Sequence, residues 1–346
     1  MQEDPIDLRS DTVTRPTAAM REAMARAEVG DDVYGEDPSA RRLEEQVAGI
    51  VGKPRGLFVP SGTMGNLLAI LGHCRPGDEV VVGEGSHSVW YECGGGAAIA
   101  GVQFAIAGHG GLFDAAALTA AVKPPNFYYP RTSLVALEDT HNRAGGRVWP
   151  IADLRAVSER ARELGLALHL DGARLWNACV ASGTHPRDRA AFFDSVTVCL
   201  SKGLGAPAGS VLCGEAAFIE RAHRHRKMLG AGMRQVGVLA AAGLHALEFH
   251  RERLIQDHDN AQAFAQAIAS VTWGRLHVDL SAVETNIVNV DVDGDATTIV
   301  DRAKALGVLV GASGPSRIRA VTHLDVSAER VLTGARRLLL SAEGRT

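Results

Sequence analysis

Short apolar runs alternate along this chain with stretches in which apolar residues return every three or four positions. The run Val80-Val81-Val82 is β-branched and unbroken by polar residues, which suits a strand covered on both faces, as in a parallel sheet. Segments 57–59, 102–106, 134–137, 166–170, 195–200 and 210–213 read as further short strands. Between them the helical period recurs. Met20, Ala23, Met24 and Ala27 make one stripe over 16–27, and Leu43, Val47 and Ile50 make another over 39–51. Segments 64–71, 118–122 and 151–164 also read as helices. Such alternation predicts an α/β fold with a mostly parallel sheet covered by helices on both faces. Beyond about residue 245 the rhythm changes. Helical patterns at 251–269 and 295–306 frame strand-like 287–292 and 318–321, which predicts a smaller α+β unit. The expected division is an arm at 1–14, a large α/β domain at 15–248 and a small C-terminal α+β domain at 249–346. Residues 28–38 are turn-rich and acidic, and Gly94-Gly95-Gly96 reads as a mobile or tightly turned loop.

A chain of 346 residues accommodates that division. Its formal net charge of −4 implies no polybasic surface, so nucleic acid is not an expected partner. The first residues are acidic and polar and lack the apolar core of a signal peptide. The longest apolar stretch, 236–247, is interrupted by His245 and falls short of the roughly 18–20 residues that a membrane span needs. Five cysteines, Cys74, Cys93, Cys179, Cys199 and Cys213, include no C-x-x-C pair. Reduced, mostly buried thiols in a cytoplasmic protein is the expectation. His223 and His225 have no thiol or carboxylate at ligand spacing, so no metal site is expected.

Two motifs carry the chemistry. Strand 166–170 runs into His169-Leu170-Asp171-Gly172-Ala173-Arg174, where His169 and Asp171 are two residues apart and share a face. Strand 195–200 runs into Ser201-Lys202-Gly203-Leu204-Gly205, a lysine in a glycine-flanked turn. An acid at one strand end and a lysine past another is what pyridoxal phosphate (PLP) chemistry requires. The lysine carries the cofactor, and the acid pairs with its protonated pyridine nitrogen. Taken singly, each motif is also an ordinary turn. A nicotinamide-dependent dehydrogenase is set aside because no G-x-G-x-x-G follows a predicted strand.

Around this pair the chain resembles the L-threonine aldolase family of fold type I PLP enzymes, within the β-eliminating lyase group. The resemblance rests on Asp7-Leu8-Arg9-Ser10-Asp11-Thr12-Val13-Thr14, Gly30-Asp31-Asp32-Val33-Tyr34-Gly35-Glu36-Asp37-Pro38 and Ser61-Gly62-Thr63-Met64-Gly65-Asn66. It continues through Glu138-Asp139-Thr140-His141-Asn142, the two motifs above, residues 230–237 (GAGMRQVG) and Val321-Thr322-His323-Leu324-Asp325. It covers essentially the whole chain in the family's order.

The resemblance implies a PLP-dependent transferase-like fold, with the large domain binding PLP. It implies that Lys202 bears the cofactor, Asp171 faces its ring nitrogen and Gly62 and Thr63 hold its phosphate, with Ser201 adding a hydroxyl. Exposed amides and a hydroxyl at a helix start suit a phosphate, although the same residues cap ordinary helices. His87 is implied to lie on the face of the ring, and His141 beside the substrate hydroxyl. Either imidazole, or a water between them, can take the hydroxyl proton. Tyr91 lines the same pocket or is a buried structural residue, and His169 packs near the ring or is a satisfied core histidine. Arg174 is placed with both cofactor and substrate, and Arg319, preferred over Arg317, and Ser10 with the substrate carboxylate, which a guanidinium fork matches. Lys227, Arg234 and Tyr34 are implied to lie near a subunit boundary, in a homotetramer built as a dimer of dimers with active sites shared between subunits. The alternative for Asp31, Asp32, Glu36 and Asp37 is a solvated acidic loop.

The expected activity is low-specificity cleavage of L-threonine, L-allo-threonine and other L-β-hydroxy-α-amino acids to glycine and an aldehyde, a reversible carbon–carbon lyase step. The alternatives are a PLP-dependent β-eliminating lyase, a serine hydroxymethyltransferase-like enzyme, for which no sequence feature demands a folate site, and a non-catalytic PLP-fold protein.

Overall fold

The computed structural model describes residues 4–271 and 274–344. The first strand, β1 (Ile6–Asp7), lies in the N-terminal segment. The pleated apolar runs that follow form β2 (Arg55–Val59), β3 (Glu79–Gly83), β4 (Gln103–Ala107), β5 (Thr132–Glu138), β6 (Ala167–Gly172), β7 (Ser195–Cys199) and β8 (Ser210–Gly214). They make a seven-stranded sheet in the order β2-β8-β7-β6-β5-β3-β4. Strands β3 to β7 pair in parallel, and β8 runs antiparallel to both β7 and β2. Strand β2 therefore points the same way as the parallel set. The C-terminal ends of β2, β3, β5, β6 and β7 share one edge, where ligands bind in open α/β sheets. Every residue of β3, β7 and β8 is buried, which explains their unbroken apolar runs.

Helix Gly62–His73 starts two residues earlier than its apolar period suggests, because Ser61 caps it. Ser61 is extended, and its Oγ accepts the Met64 N–H at 3.2 Å. The buried side of the helix, Leu67 to Ile70, packs toward β6, β7 and β8. Helix Pro38–Val51 begins with Asp37 as cap and Pro38 in its first turn and stops at Gly52, φ 69°. The helix expected over 16–27 is shorter, Ala18–Ala25, and only Met20 of its stripe is fully buried. The glycine-rich loop at 94–96 enters a single helical turn, Gly95–Ala98, through Gly94 at φ 71°. Helices Ala216–Met228 and Ala328–Glu343 were not apparent in the pattern. Helix Gly237–Phe249 hid in the long apolar stretch. It is apolar around most of its circumference because it lies under helices Ala18–Ala25 and Pro38–Val51.

The remaining strands are β9 (Leu276–His277), β10 (Ile287–Val292), β11 (Val308–Leu309), β12 (Gly311–Gly314) and β13 (Arg317–Val321). Four of them form an antiparallel sheet, β12-β13-β10-β9, with β12 bulged at Ala312/Gly314. Its core joins Val288, Val290 and Ile318 to Phe264, Ile299 and Leu338. The N-terminal segment, expected as a plain extended arm, docks here. Ile6 pairs with Val308 and Asp7 with Leu309 in parallel, and Ile6 and Leu8 are buried in the same core. Among the described residues no helix is long and apolar enough to cross a membrane. Cys179, Cys199 and Cys213 are buried and Cys93 is exposed, and all five thiols are free.

Candidate active site

The turn after β7 delivers Lys202. The Gly205 N–H donates to the Lys202 carbonyl at 2.8 Å, and Gly205 takes φ 76°, a conformation costly for any side chain. Thr14 Oγ1 donates to the same carbonyl at 2.9 Å, so the docked N-terminal segment reaches the lysine turn.

Asp171 ends β6 on the face that bears His169. Its Oδ2 accepts from Asn66 Nδ2 at 2.8 Å and its Oδ1 from the Ala173 N–H at 3.1 Å. His169 is a satisfied core residue. Its nitrogens bond Ser195 Oγ at 2.9 Å and Asn66 Oδ1 at 3.2 Å, and burial pushes its pKa down to about 3. It bonds the site's Asn66 and feels the Asp171 carboxylate.

His87 opens the short helix His87–Trp90 beyond β3. Its Nδ1 lies 2.9 Å from Glu92 Oε1, and its backbone N–H donates to Glu138 Oε2 at 2.8 Å. Burial disfavours the imidazolium, but the Glu92 bond and then the Asp171 carboxylate outweigh it and raise the His87 pKa above the ordinary value. One nitrogen of His87 and one oxygen each of Glu92 and Asp171 lie within 4.8 Å of one another. Tyr91 is 45% exposed, which removes the buried-tyrosine alternative. Its ring is 5.3 Å from that of His87, and its hydroxyl accepts from Arg143 at 3.1 Å.

His141, beyond β5, is buried. Its Nδ1 accepts the Ala144 N–H at 3.2 Å, while Nε2 has no hydrogen bond among the described residues and lies 3.8 Å from Glu138 Oε2. Glu138 also accepts the Asn142 N–H at 2.9 Å, so one carboxylate ties the two histidine segments together.

Arg174 is held by Asp11 in a bidentate pair, Nε to Oδ2 at 2.8 Å and Nη2 to Oδ1 at 2.7 Å. Burial alone would raise the Asp11 pKa. The Arg174 charge and bonds override it and hold that carboxyl well below the usual range. The remaining Nη1 of Arg174 points at Asn142 Oδ1, 3.4 Å away, and Arg319 Nη1 donates to the same oxygen at 2.9 Å. Two guanidiniums thus converge on a single neutral acceptor, an arrangement suited to a carboxylate. Arg317 instead pairs with Asp291 at 2.6 Å on the surface. Ser10 stands at the head of the turn Asp11–Val13, with its Oγ accepting from Thr12.

Gly62 and Thr63 form the first turn of the helix that Ser61 caps. A methyl group on Gly65 would come within 2.6 Å of Thr197, so this helix start is pressed onto β7. Thr197 Oγ1 and Ser210 Oγ beside it are buried without partners among the described residues. Ser201 Oγ contacts Cys199 Sγ at 3.5 Å. Lys227 is exposed, and Arg234 pairs with Asp31 at 2.9 Å. Arg226 bonds Asp32 at 2.7 Å, so the start of the acidic loop is ion-paired rather than merely solvated.

Sequence reasoning missed Asp11, Asn66, Glu92, Glu138 and Asn142 as partners of the site. Four of them stand inside the motifs quoted above, and Asn66 follows Gly62 by one helical turn, on the same face. Glu92 lies outside those motifs, in a polar–glycine run that carries no periodic signal.

A helix start with free amides, a lysine, a carboxylate, a flat imidazole and unpartnered buried hydroxyls together match the groups of PLP. The profile of the beta-eliminating lyase family matches residues 7–294. The chain belongs to the beta-eliminating lyase family. Among the relatives of this family member is low-specificity L-threonine aldolase 1 of Arabidopsis thaliana, 46% identical over 335 residues, 94% of this chain and 93% of the relative. The low specificity L-threonine aldolase of Escherichia coli K12 is 45% identical over 331 residues, 94% and 96% of the two chains. A solved Leishmania major threonine aldolase superposes with a TM-score of 0.81 at 20% identity, covering 96% of this chain and 98% of that one. The structure of SPT with PLP superposes at 0.76 with 15% identity, covering 99% and 88%. These structural likenesses give this beta-eliminating lyase family member the fold of type I PLP enzymes.

Proposed function

We propose that this chain is a PLP-dependent, low-specificity L-threonine aldolase, which cleaves L-threonine, L-allo-threonine and related L-β-hydroxy-α-amino acids reversibly to glycine and an aldehyde. The carrying observation is the convergence of Lys202, Asp171, His87, His141, Arg174 and Arg319 beside one sheet edge. Bound PLP would supply the electron sink for the pair released when Cα–Cβ breaks. Lys202 would hold the cofactor by its aldehyde carbon and Asp171 by its pyridine nitrogen, with the His87 ring on its face. The Gly62 amide and the Thr63 and Ser201 hydroxyls would take its phosphate. Arg174 and Arg319, with Ser10, fix the substrate carboxylate, and that anchor orients Cα–Cβ for cleavage. His87 and His141 handle the hydroxyl proton, help worth about 10²–10⁴ in rate.

The relatives' names and the family support the same reading, and the intact lysine–aspartate pair argues against a non-catalytic protein. We take residues 1–14 as the arm, 15–248 as the PLP-binding domain and 249–346 as the C-terminal domain, a division that the separate hydrophobic cores support. A cytoplasmic homotetramer with shared active sites belongs to the same proposal. Tyr34, 75% exposed in the single chain, and exposed Lys227 and Met228 support it.

The test is release of acetaldehyde and glycine from L-threonine by the PLP-loaded protein beside a Lys202→Ala control. Equimolar products that vanish in the control support the aldolase. Pyruvate and ammonia in place of glycine would turn the reading to β-elimination.

A further inference from the structure

The two histidines at the candidate site are wired in opposite senses. His141 Nδ1 accepts a backbone N–H, from Ala144 at 3.2 Å. A backbone amide can only donate, so the neutral His141 ring carries its proton on Nε2, which faces Glu138 at 3.8 Å. His87 Nδ1 lies on a carboxylate oxygen, Glu92 Oε1, at 2.9 Å. A carboxylate accepts, so in the neutral His87 ring the proton sits on Nδ1 and Nε2 keeps a bare lone pair.

The same Glu92 oxygen accepts from Asn66 Nδ2 at 2.9 Å, and Asn66 Nδ2 gives its other proton to Asp171 Oδ2 at 2.8 Å. With both amide protons committed, Asn66 Oδ1 must accept, so His169 Nε2 donates to it at 3.2 Å. His169 Nδ1 then accepts from Ser195 Oγ at 2.9 Å, and His73 Nε2 donates to that hydroxyl at 2.8 Å. Five buried or half-buried side chains thus fix the direction of every bond behind Glu92.

We propose that Glu92 is a positioning residue which, by accepting from Nδ1, holds His87 as the tautomer with a bare Nε2, so that His87 is the proton acceptor and His141 the donor in the aldol step. The proposal rests on the reaction proposed above. In that step the substrate hydroxyl proton would pass to His87 Nε2 as Cα–Cβ breaks and its oxygen becomes that of the aldehyde, while the His141 N–H would hydrogen-bond that oxygen and keep its proton; bound PLP would supply the sink for the electron pair of the broken bond. The charged and titratable groups around His87 are Glu92, Asp171 and Lys202, with Glu138 on its backbone N–H and Tyr91, bonded to Arg143, beside its ring. The imidazolium formed in the step is stabilised by Glu92, as the raised His87 pKa requires.

Glu92→Gln and Glu92→Ala separate charge from geometry. In Glu92→Gln the amide oxygen still meets two donors, so the tautomer persists and only the charge is lost. Carbethoxylation of His87 in the cofactor-free protein, followed across pH by mass spectrometry, reads its midpoint without any turnover. The expected midpoint lies above the ordinary 6.5 in the native protein and falls by about one pH unit or more in Glu92→Gln. The acid limb of the kcat/KM profile should move down with it, because the acceptor must be neutral. In Glu92→Ala, kcat should fall at least about tenfold with little change in KM, and Glu92→Gln should restore most of it. His87→Gln should abolish the acid limb and His141→Gln should keep it. An unchanged His87 midpoint, or native kcat in Glu92→Ala, would overturn the role of Glu92. Loss of the acid limb in His141→Gln with its survival in His87→Gln would overturn the assignment of acceptor and donor. A shifted midpoint in a protein that cleaves no β-hydroxy amino acid would uphold the pairing and sink the reaction instead.

Discussion

Arg174 enters the cleft already paired with Asp11, and both are almost fully buried. A guanidinium so deep needs its carboxylate, and breaking such a pair from one side costs about 3–5 kcal/mol. Asp11→Asn should therefore lower unfolding stability by about that amount at pH 7 in denaturant melts. The Asp11 pKa is depressed in the folded chain, so its contribution is complete above the unfolded value of 3.8 and is lost as pH falls below it. The gap between native and variant should accordingly narrow progressively as pH falls below 3.8, and a constant gap would contradict the pairing. Asp171 behaves differently. Its partners, Asn66 and the Ala173 N–H, are neutral donors, one on each oxygen, so Asp171→Asn breaks no ion pair but leaves one of the two donors facing an amide NH2. That variant should stay folded with a modestly lower melting temperature and lose most of its turnover; near-normal turnover would count against the role given to Asp171.

At the scale of elements, caps and turns decide where side chains arrive. Ser61 sets the start of the helix that offers Gly62 and Thr63, and Gly205 closes the turn that presents Lys202. Helix Pro38–Val51 carries a built-in cost. Glu44 bonds the Phe58 N–H at 2.7 Å and borders a cavity of about 750 Å³ shared with Tyr34 and Arg226. Burial pushes its pKa from 4.5 up to about 7. Between those values the unfolded chain ionises Glu44 and the folded chain does not, so stability falls as pH rises through that window. Glu44→Gln keeps the acceptor for Phe58 and removes the cost. It should raise stability on the order of 2 kcal/mol at pH 8 and leave it unchanged at pH 4. Equal effects at both pH values would contradict this.

Across the whole molecule, the N-terminal segment links the C-terminal core to the site. Leu8 is fully buried against that core, Asp11 follows it to Arg174, and Thr14 reaches the Lys202 turn. Leu8→Ala should cost about 2–5 kcal/mol through the cavity it leaves. It should also raise KM for the amino acid, because the anchor of Arg174 shifts with the strand. A variant that loses stability while KM stays native would show that the two regions are uncoupled. Arg319 adds a second link, since β13 carries it to Asn142 at 2.9 Å.

The sequence by itself determined the parallel sheet, because unbroken β-branched runs and a helical period are local signals that a single segment carries. It also placed the lysine and the aspartate of the proposed site at strand ends, since each follows a strand that could be read, and the motifs around them named the family. Short β1, the basic helix Ala216–Met228 and the helix Ala328–Glu343 escaped it, because a two-residue strand has no period and tertiary contacts hold the others. The docking of the N-terminal segment was likewise invisible, since Ile6 and Val308 meet although they lie 302 positions apart in the chain. Only the tertiary structure decided what surrounds the groups of the proposed site. Asp11 on Arg174, Asn66 between two carboxylates and Glu92 on His87 are pairings that hydrogen-bond geometry creates, and no segment carries that geometry alone.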